Sequence, residues 1–132
     1  MTLANILDWF QTMKLADHYY ANRLDNKQEM SIGVYEKTVP GSRPVMAIGG
    51  PEASSYDIMS ISVLIHWNRS FPQTEAAAQA LWNTLIQTRH ADIPGGQHIY
   101  FLQMTVPKPV YVSTDETGIH EYVINFNLYY RR

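Results

Sequence analysis

The sequence contains no cysteine among its 132 residues. This absence excludes disulfide bonds, thiolate metal ligands and a cysteine nucleophile, and it fits assembly in a reducing cytoplasm. A formal net charge of −2 argues against a broad basic surface for gripping nucleic acid phosphates. No apolar run approaches the roughly 20 residues needed to span a bilayer. The N-terminus also lacks the basic and then apolar order of a signal peptide, so we expect no membrane partner.

Motifs that carry catalysis or cofactor binding are also missing. The glycine pairs at 49–50 and 95–96 lack the spacing of a phosphate-binding loop, and no G-x-S-x-G elbow is present. The adjacent Asp115 and Glu116 are typical of a turn rather than of a catalytic pair. No two histidines have the short spacing of ready-made metal ligands; they are His18, His66, His90, His98 and His120. We therefore predict no catalytic residue, no cofactor and no metal site.

Aromatic residues are abundant, with nine tyrosines, four phenylalanines and three tryptophans. Tyrosine combines a large apolar contact area with a polar tip, which suits half-wet surfaces and interfaces. Tyrosine is also simply common in strands. The composition alone leaves both interpretations open.

Two helices are predicted from apolar residues at helical spacing. The first spans about residues 3–15, with Thr2 as its cap. The second begins at Thr74 as cap, with Glu75 in its first turn, and has His90 near its end. Their apolar stripes contain Leu3, Ile6, Leu7, Phe10 and Met13, and Ala78, Leu81, Trp82 and Leu85.

Alternating apolar residues predict five strands, over about residues 30–35, 45–48, 59–67, 98–106 and 121–131. Residues 16–28 show no clean period and are predicted to be a loop, whereas Asp115–Gly118 has the composition of a hairpin turn. Two helices cannot cover both faces of such a sheet, so we place both helices on one face. The prediction is one α+β domain over residues 1–132, with a mixed, mostly antiparallel sheet and the order α-β-β-β-α-β-β.

Three consecutive stretches resemble a known family of phage proteins. A strand runs into HWNRSFPQTEAAAQALWNTL at 66–85, a Gly-Gly loop follows, and PVYVSTDETGIHEYVINFNLYYRR occupies 109–132. In this order and spacing they resemble the minor capsid or tail-terminator (tail-completion) proteins of long-tailed bacteriophages. The resemblance extends over the whole chain and is clearest from Tyr56 onward.

The resemblance implies a structural virion protein without enzymatic activity. Such proteins form a ring, usually a hexamer, on the last ring of tail-tube protein, where they stop tube growth. They present a surface to the head-completion or connector protein, and the genomic DNA passes through the lumen. The implied location is the head–tail junction of the virion, after assembly in the host cytoplasm.

Contacts with neighbours are expected from two parts of the chain. The connection from Glu36 to Glu52 is longer than two short strands need, and we predict that it projects toward a neighbouring subunit or the tail tube. The last strand carries aromatic residues on both faces, Tyr129 beside Tyr130, so we expect a neighbour to cover its open side. The predicted contact residues are Lys37, Pro40, Arg43, Pro44, Tyr129 and Arg131.

Two alternatives stay open at this point. The first is another component of the phage neck, a head-closure or tail-tube-like protein with a related small fold. The second is a small α+β enzyme or ligand-binding domain that uses His66 or His120. A convergent pocket around a perturbed histidine would favour the second alternative, and a tyrosine-rich surface would favour assembly.

Overall fold

The structure is a computed structural model that describes residues 1–25, 27–37 and 55–131. These residues form two helices and seven strands. The elements are α1 (Leu3–Met13), β1 (His18–Ala21), β2 (Ser31–Glu36), β3 (Tyr56–His66), α2 (Phe71–Ile86), β4 (Arg89–Asp92), β5 (His98–Met104), β6 (Val110–Thr114) and β7 (His120–Arg131). Among the described residues, no helix has both the length and the apolar character required to cross a membrane.

All seven described strands belong to one sheet. Its order is β1-β2-β3-β7-β5-β4, with β6 paired to the remaining part of the β7 edge. The β1–β2 pair is parallel and every other pair is antiparallel. The central pair joins β3 and β7 along their length, from Tyr56 opposite Arg131 to His66 opposite Glu121. The predicted α+β class and mixed, mostly antiparallel sheet are confirmed, with more strands than the five predicted.

One face of the sheet carries the core. On β3 the alternate residues from Met59 to Ile65 are buried, and so are Ile32 and Val34 on β2 and the residues opposite on β7. The buried residues of both helices belong to the same apolar cluster, so both helices pack on this face, as predicted. We call it the helix-covered face and the other the open face. The cluster includes Ile6, Trp9, Phe10, Ile32, Val34, Ala78, Leu81, Trp82, Leu85, Ile124, Phe126 and Leu128.

Helix α1 begins where the sequence predicts it. The Thr2 hydroxyl accepts a hydrogen bond from the Asn5 amide at 3.2 Å, and the Asn5 side chain accepts one from the Thr2 amide at 2.9 Å. This reciprocal cap satisfies two amides that the first turn leaves without partners. The helix ends at Met13, two residues earlier than predicted, because Lys14 adopts a left-handed conformation with φ of 53°.

Helix α2 begins earlier than predicted. Ser70 is its N-cap, the helix starts at Phe71, and Pro72 lies in the first turn, where its missing amide proton costs little. Thr74 is therefore inside the helix, where its buried hydroxyl donates to the Ser70 carbonyl at 2.9 Å. The predictions of Thr74 as the cap and Glu75 in the first turn were wrong, since an N-terminal proline displaced the start.

Three short strands were missed in the sequence. Strand β1 lies in the segment predicted as loop, β4 lies where the end of α2 was predicted, and β6 lies between the predicted strand at 98–106 and the predicted hairpin turn. Each has only four or five residues, and none of these residues is fully buried. Without a buried side, such strands leave no alternation of apolar and polar residues to detect. The predicted strand at 45–48 lies outside the described residues.

Candidate functional site

The open face has a polar middle. The Ser60 hydroxyl donates to the Asn127 side chain at 2.8 Å across the central strand pair. Residues on either side along the strands differ in character. Toward Tyr56 and Tyr129 the face becomes aromatic, and toward His66 it becomes charged. The open face therefore has an aromatic end and a charged end.

Aromatic rings from three adjacent strands meet at one end of the open face. The Tyr129 ring stacks on Phe101, with centroids 4.5 Å apart and planes 13° apart. On its other side it faces Tyr56 at 5.9 Å and 26°. Together with Tyr100 and Ser55, these rings line a shallow cavity of about 330 Å³. We call Tyr56, Tyr100, Phe101 and Tyr129 the aromatic patch.

A β-bulge brings two consecutive aromatic residues into the patch. Ile99 pairs with Tyr130 and Phe101 pairs with Tyr129, so β5 contains one more residue than its partner at this point. Such a bulge interrupts the strict alternation of side chains between the two faces. Ile99 remains in the core, while Tyr100 and Phe101 both line the cavity of the open face.

The described contact residues predicted from the sequence all belong to the open face. Tyr129 is the middle ring of the patch, and the Arg131 guanidinium lies 5.9 Å from the centre of the Tyr100 ring. Lys37 lies farther along the face, where its amide donates to the Ser60 carbonyl at 2.8 Å. It lines a cavity of about 160 Å³. Pro40, Arg43 and Pro44 lie outside the described residues, as does most of the predicted projecting connection.

Three members of the patch were not predicted. Extending the β3 alternation back to its first residue would have placed Tyr56 on the same face as Ser60, so a signal was present. Tyr100 and Phe101 gave no such signal, because a regular strand would have put them on opposite faces. Only the bulge, which depends on pairing with β7, unites them.

The other end of the open face holds a histidine between two carboxylates. His66 is fully buried, and its Nδ1 lies 3.0 Å from a Glu121 carboxylate oxygen. Its Nε2 faces Asp115 at 3.5 Å. We call these three residues the histidine clasp. It joins the end of β3 to the start of β7 and to the β6–β7 turn.

The turn holds Asp115 through several hydrogen bonds. One carboxylate oxygen accepts from the Thr117 amide at 2.9 Å, the Thr117 hydroxyl at 2.7 Å and the Ile119 amide at 3.0 Å. Desolvation, the largest single influence, raises the pKa of Asp115. The hydrogen bonds and the nearby His66 outweigh it, so the net pKa lies below the usual value. The carboxylate is therefore stabilised as the charged form at the predicted hairpin turn.

The clasp also influences a neighbouring tyrosine. Burial, and secondarily the negative charge of Glu121, raise the pKa of Tyr35. On the helix-covered face, α2 and β6 border a cavity of about 530 Å³. Tyr122 lines this cavity, and its pKa is raised by burial and then by Glu75.

The two histidines of the ligand-binding alternative do not line these cavities. His66 is enclosed by the clasp, and His120 Nδ1 lies 2.9 Å from the Tyr111 hydroxyl. The three cavities described above are lined by other residues. The geometry therefore favours a role for an exposed surface over a ligand pocket built around either histidine.

Comparison with known proteins also favours a role in assembly. The model of the bacteriophage tail terminator protein family matches residues 3–132. The chain belongs to this family. Among solved structures, a chain in the virion of a native gene transfer agent particle shares the fold, with a TM-score of 0.51 and 14% identity. That match covers 87% of this chain and 78% of the other. No curated protein matches the chain.

Family membership confirms the resemblance found in the sequence. The chain is a structural phage tail protein, and such a protein associates with other virion components. A structural family favours a role without enzymatic activity. For such a protein, a surface that contacts other virion components is the functional site to look for, and the aromatic patch is the candidate on the open face.

Proposed function

We propose that this tail terminator caps the tail tube of a long-tailed phage as a hexameric ring. In that position it ends tail growth, binds the tail-tube protein and presents a surface to the head-completion protein. The genomic DNA passes through the lumen of the ring. The location is the head–tail junction of the virion, reached after assembly in the host cytoplasm.

The aromatic patch is the observation that carries the proposal beyond family membership. Phe101 and Tyr56 are 38% and 39% exposed although both rings belong to one stack. Tyrosine and phenylalanine are enriched at the centres of protein interfaces, where they lose water on both sides. A neighbouring subunit that covers the open face would bury this stack.

Polar groups surround the patch in the arrangement of an interface rim. Arg131 lies over Tyr100 at one side, and the Tyr129 hydroxyl donates to the Gln103 side chain at 3.2 Å. Interfaces commonly combine an apolar centre with such a polar border. The border gives a neighbour hydrogen-bond and charge partners that fix its orientation.

The proposal is tested by comparing two variants with similarly exposed apolar residues. Phe101→Ala truncates the patch, whereas Ile86→Ala truncates a residue of α2 that is 43% exposed. We expect the wild-type protein and Ile86→Ala to bind the ends of unfinished tails as rings in electron micrographs. We expect Phe101→Ala to remain folded but to lose ring formation and tail completion.

Two results would contradict the proposal. If Phe101→Ala completes tails at the wild-type level, the aromatic patch is not the assembly surface. If the wild-type protein binds elsewhere in the neck and never at the end of the tail tube, the chain acts as another neck component. Circular dichroism of each variant separates lost assembly from lost folding.

A further inference from the structure

The outer hairpin of the sheet brings two imidazole rings together. His90 Nδ1 lies 3.2 Å from His98 Nε2, although the residues are eight positions apart. His90 belongs to β4 and His98 to β5. Spacing along the chain gave no sign of this pair, because the two residues become neighbours only when the hairpin forms.

A carboxylate fixes the chemical state of one ring. Asp92 lies opposite His98 in the strand pair, and its Oδ1 is 2.8 Å from His98 Nδ1. A carboxylate accepts a proton donor, so His98 Nδ1 carries the hydrogen. In the neutral ring, Nε2 then carries the lone pair and points toward His90. This carboxylate–histidine arrangement is the one that orients histidine ligands around metal ions.

The backbone and an aromatic ring hold the second histidine in place. His90 has φ of 51°, a left-handed conformation that residues other than glycine seldom adopt. The Tyr100 ring packs edge-on against both imidazoles, with centroids 6.1 Å from His90 and 5.5 Å from His98. Costly conformations persist where surrounding contacts impose them. The two rings are therefore held as a pair.

We propose that His90 and His98 form a binding site for a divalent transition metal ion, for which Zn²⁺ is the probe. Zinc–nitrogen bonds of about 2.0–2.1 Å in a tetrahedral site place two nitrogens roughly 3.3 Å apart. The observed 3.2 Å separation matches that edge. His90 Nδ1 becomes a ligand when its ring adopts the tautomer with the proton on Nε2, and a small rotation of this exposed ring then directs both lone pairs at one ion. Imidazole is a favoured ligand for zinc, nickel and copper.

The site supplies two protein ligands, and water completes the coordination. Within the part of the chain that the structure describes, no group of three or more His, Asp or Glu side chains is arranged to hold a metal ion. The pair is open to solvent on the His90 side, since that residue is exposed. Water can therefore occupy the remaining coordination positions. A bound ion would link β4 to β5 at the outer edge of the sheet.

Zinc titration of the full chain, followed by calorimetry and thermal unfolding, tests the proposal. We expect one Zn²⁺ per chain and a higher unfolding temperature with added zinc, because the ion binds only the folded hairpin. His90→Ala and His98→Ala should each lower the affinity by about tenfold or more, as should Asp92→Asn, which acts only through His98. His18→Ala, on the opposite edge strand, is the matched control and should bind zinc like the wild type.

Three outcomes would overturn the proposal. They are the absence of saturable binding at millimolar zinc, an unchanged affinity in His90→Ala, and an equal loss of affinity in His18→Ala. Nuclear magnetic resonance of the imidazole protons provides an independent readout. Zinc should shift the signals of His90 and His98 and leave those of His18 unchanged, even in variants that are less stable.

Discussion

The two faces of the sheet are made from alternate residues of the same strands, yet the two helices in the described part of the chain cover only one of them. On β3, Ile61 and Val63 are fully buried under the helices, whereas Ser60 and Ser62, which alternate with them, are only partly buried. The difference shows that one apolar face is sufficient to hold the helices and the sheet together. The part of the second face that stays exposed is then available for contacts with other molecules.

The open face is itself divided. Its charged end is covered by the chain's own β6–β7 turn, which brings Asp115 onto the fully buried His66. Its aromatic end has no such cover from the described residues, and Phe101 and Tyr56 remain exposed. A stability defect is thus expected from changes at the first end and an assembly defect from changes at the second.

The largest expected effect separates the two faces. Trp82, on the buried side of α2, is 6% exposed, and Trp82→Ala should lower the free energy of unfolding by about 3–5 kcal/mol. Phe101→Ala on the open face removes mainly ring stacking, which is worth about 1 kcal/mol. Urea unfolding of both variants measures the difference. Equal losses would show that the open face contributes to the core after all.

A smaller effect is expected at the histidine clasp. His66→Ala removes the partner of the Glu121 carboxylate and should cost about 1–3 kcal/mol of unfolding free energy. His120→Ala, which removes a partly buried histidine bound to Tyr111, is the control and should cost less. Tail binding should survive in folded His66→Ala. A clasp variant of wild-type stability would show that the charged end is not held by these contacts.

The smallest expected effect is the loss of stability at low pH that Asp115 causes at the charged end. Because the pKa of Asp115 is lowered in the folded protein, its charged form stabilises the fold above the unfolded pKa of about 3.9. That contribution disappears as the pH falls through the folded pKa. Asp115→Asn should therefore lose less stability than the wild type between pH 5 and pH 2–3, measured by urea unfolding at about those values.

Glu116→Gln is the control for this pH measurement, since it removes an exposed carboxylate from the same turn. Its acid response should follow the wild type more closely than that of Asp115→Asn. Identical acid slopes for the wild type and Asp115→Asn would mean that the turn does not hold a stabilised carboxylate.

Elements with one buried side were predictable from the sequence. Residues that pack in the core are apolar, and they recur at regular spacing in β3, β7 and α1. The buried faces of these three elements were therefore predicted correctly. The turn at Asp115–Gly118 followed from composition, and Gly118 indeed has φ of 87°. The α2 boundary failed because two N-terminal signals competed, and the one with proline prevailed.

The site was only partly predictable for a different reason. Tyr129 and Arg131 could be placed on the open face because β7 alternates regularly. The remaining rings of the patch come from β3 and β5, and the histidine pair comes from β4 and β5. These juxtapositions depend on strand order and on a bulge, which are properties of pairing between distant segments. Local periodicity could assign Tyr56 to the open face, but it could not show which residues of other strands lie beside it.

The bulge gives the β4–β5 hairpin one more pair of opposite residues, here called a row, than the strand β7 that it extends. Tyr100 is the additional residue of β5, and His90 lies between Arg89 and Ala91, which pair with Phe101 and Ile99. The core side of β5 does not include this row. Ile99 and Leu102 are successive buried residues of β5, as they would be in a regular strand without Tyr100. The alternation of buried and exposed residues in the inner strands therefore does not depend on His90 and Tyr100. The surface of the hairpin can change its length by a matched pair of residues while the packing beneath it keeps its register.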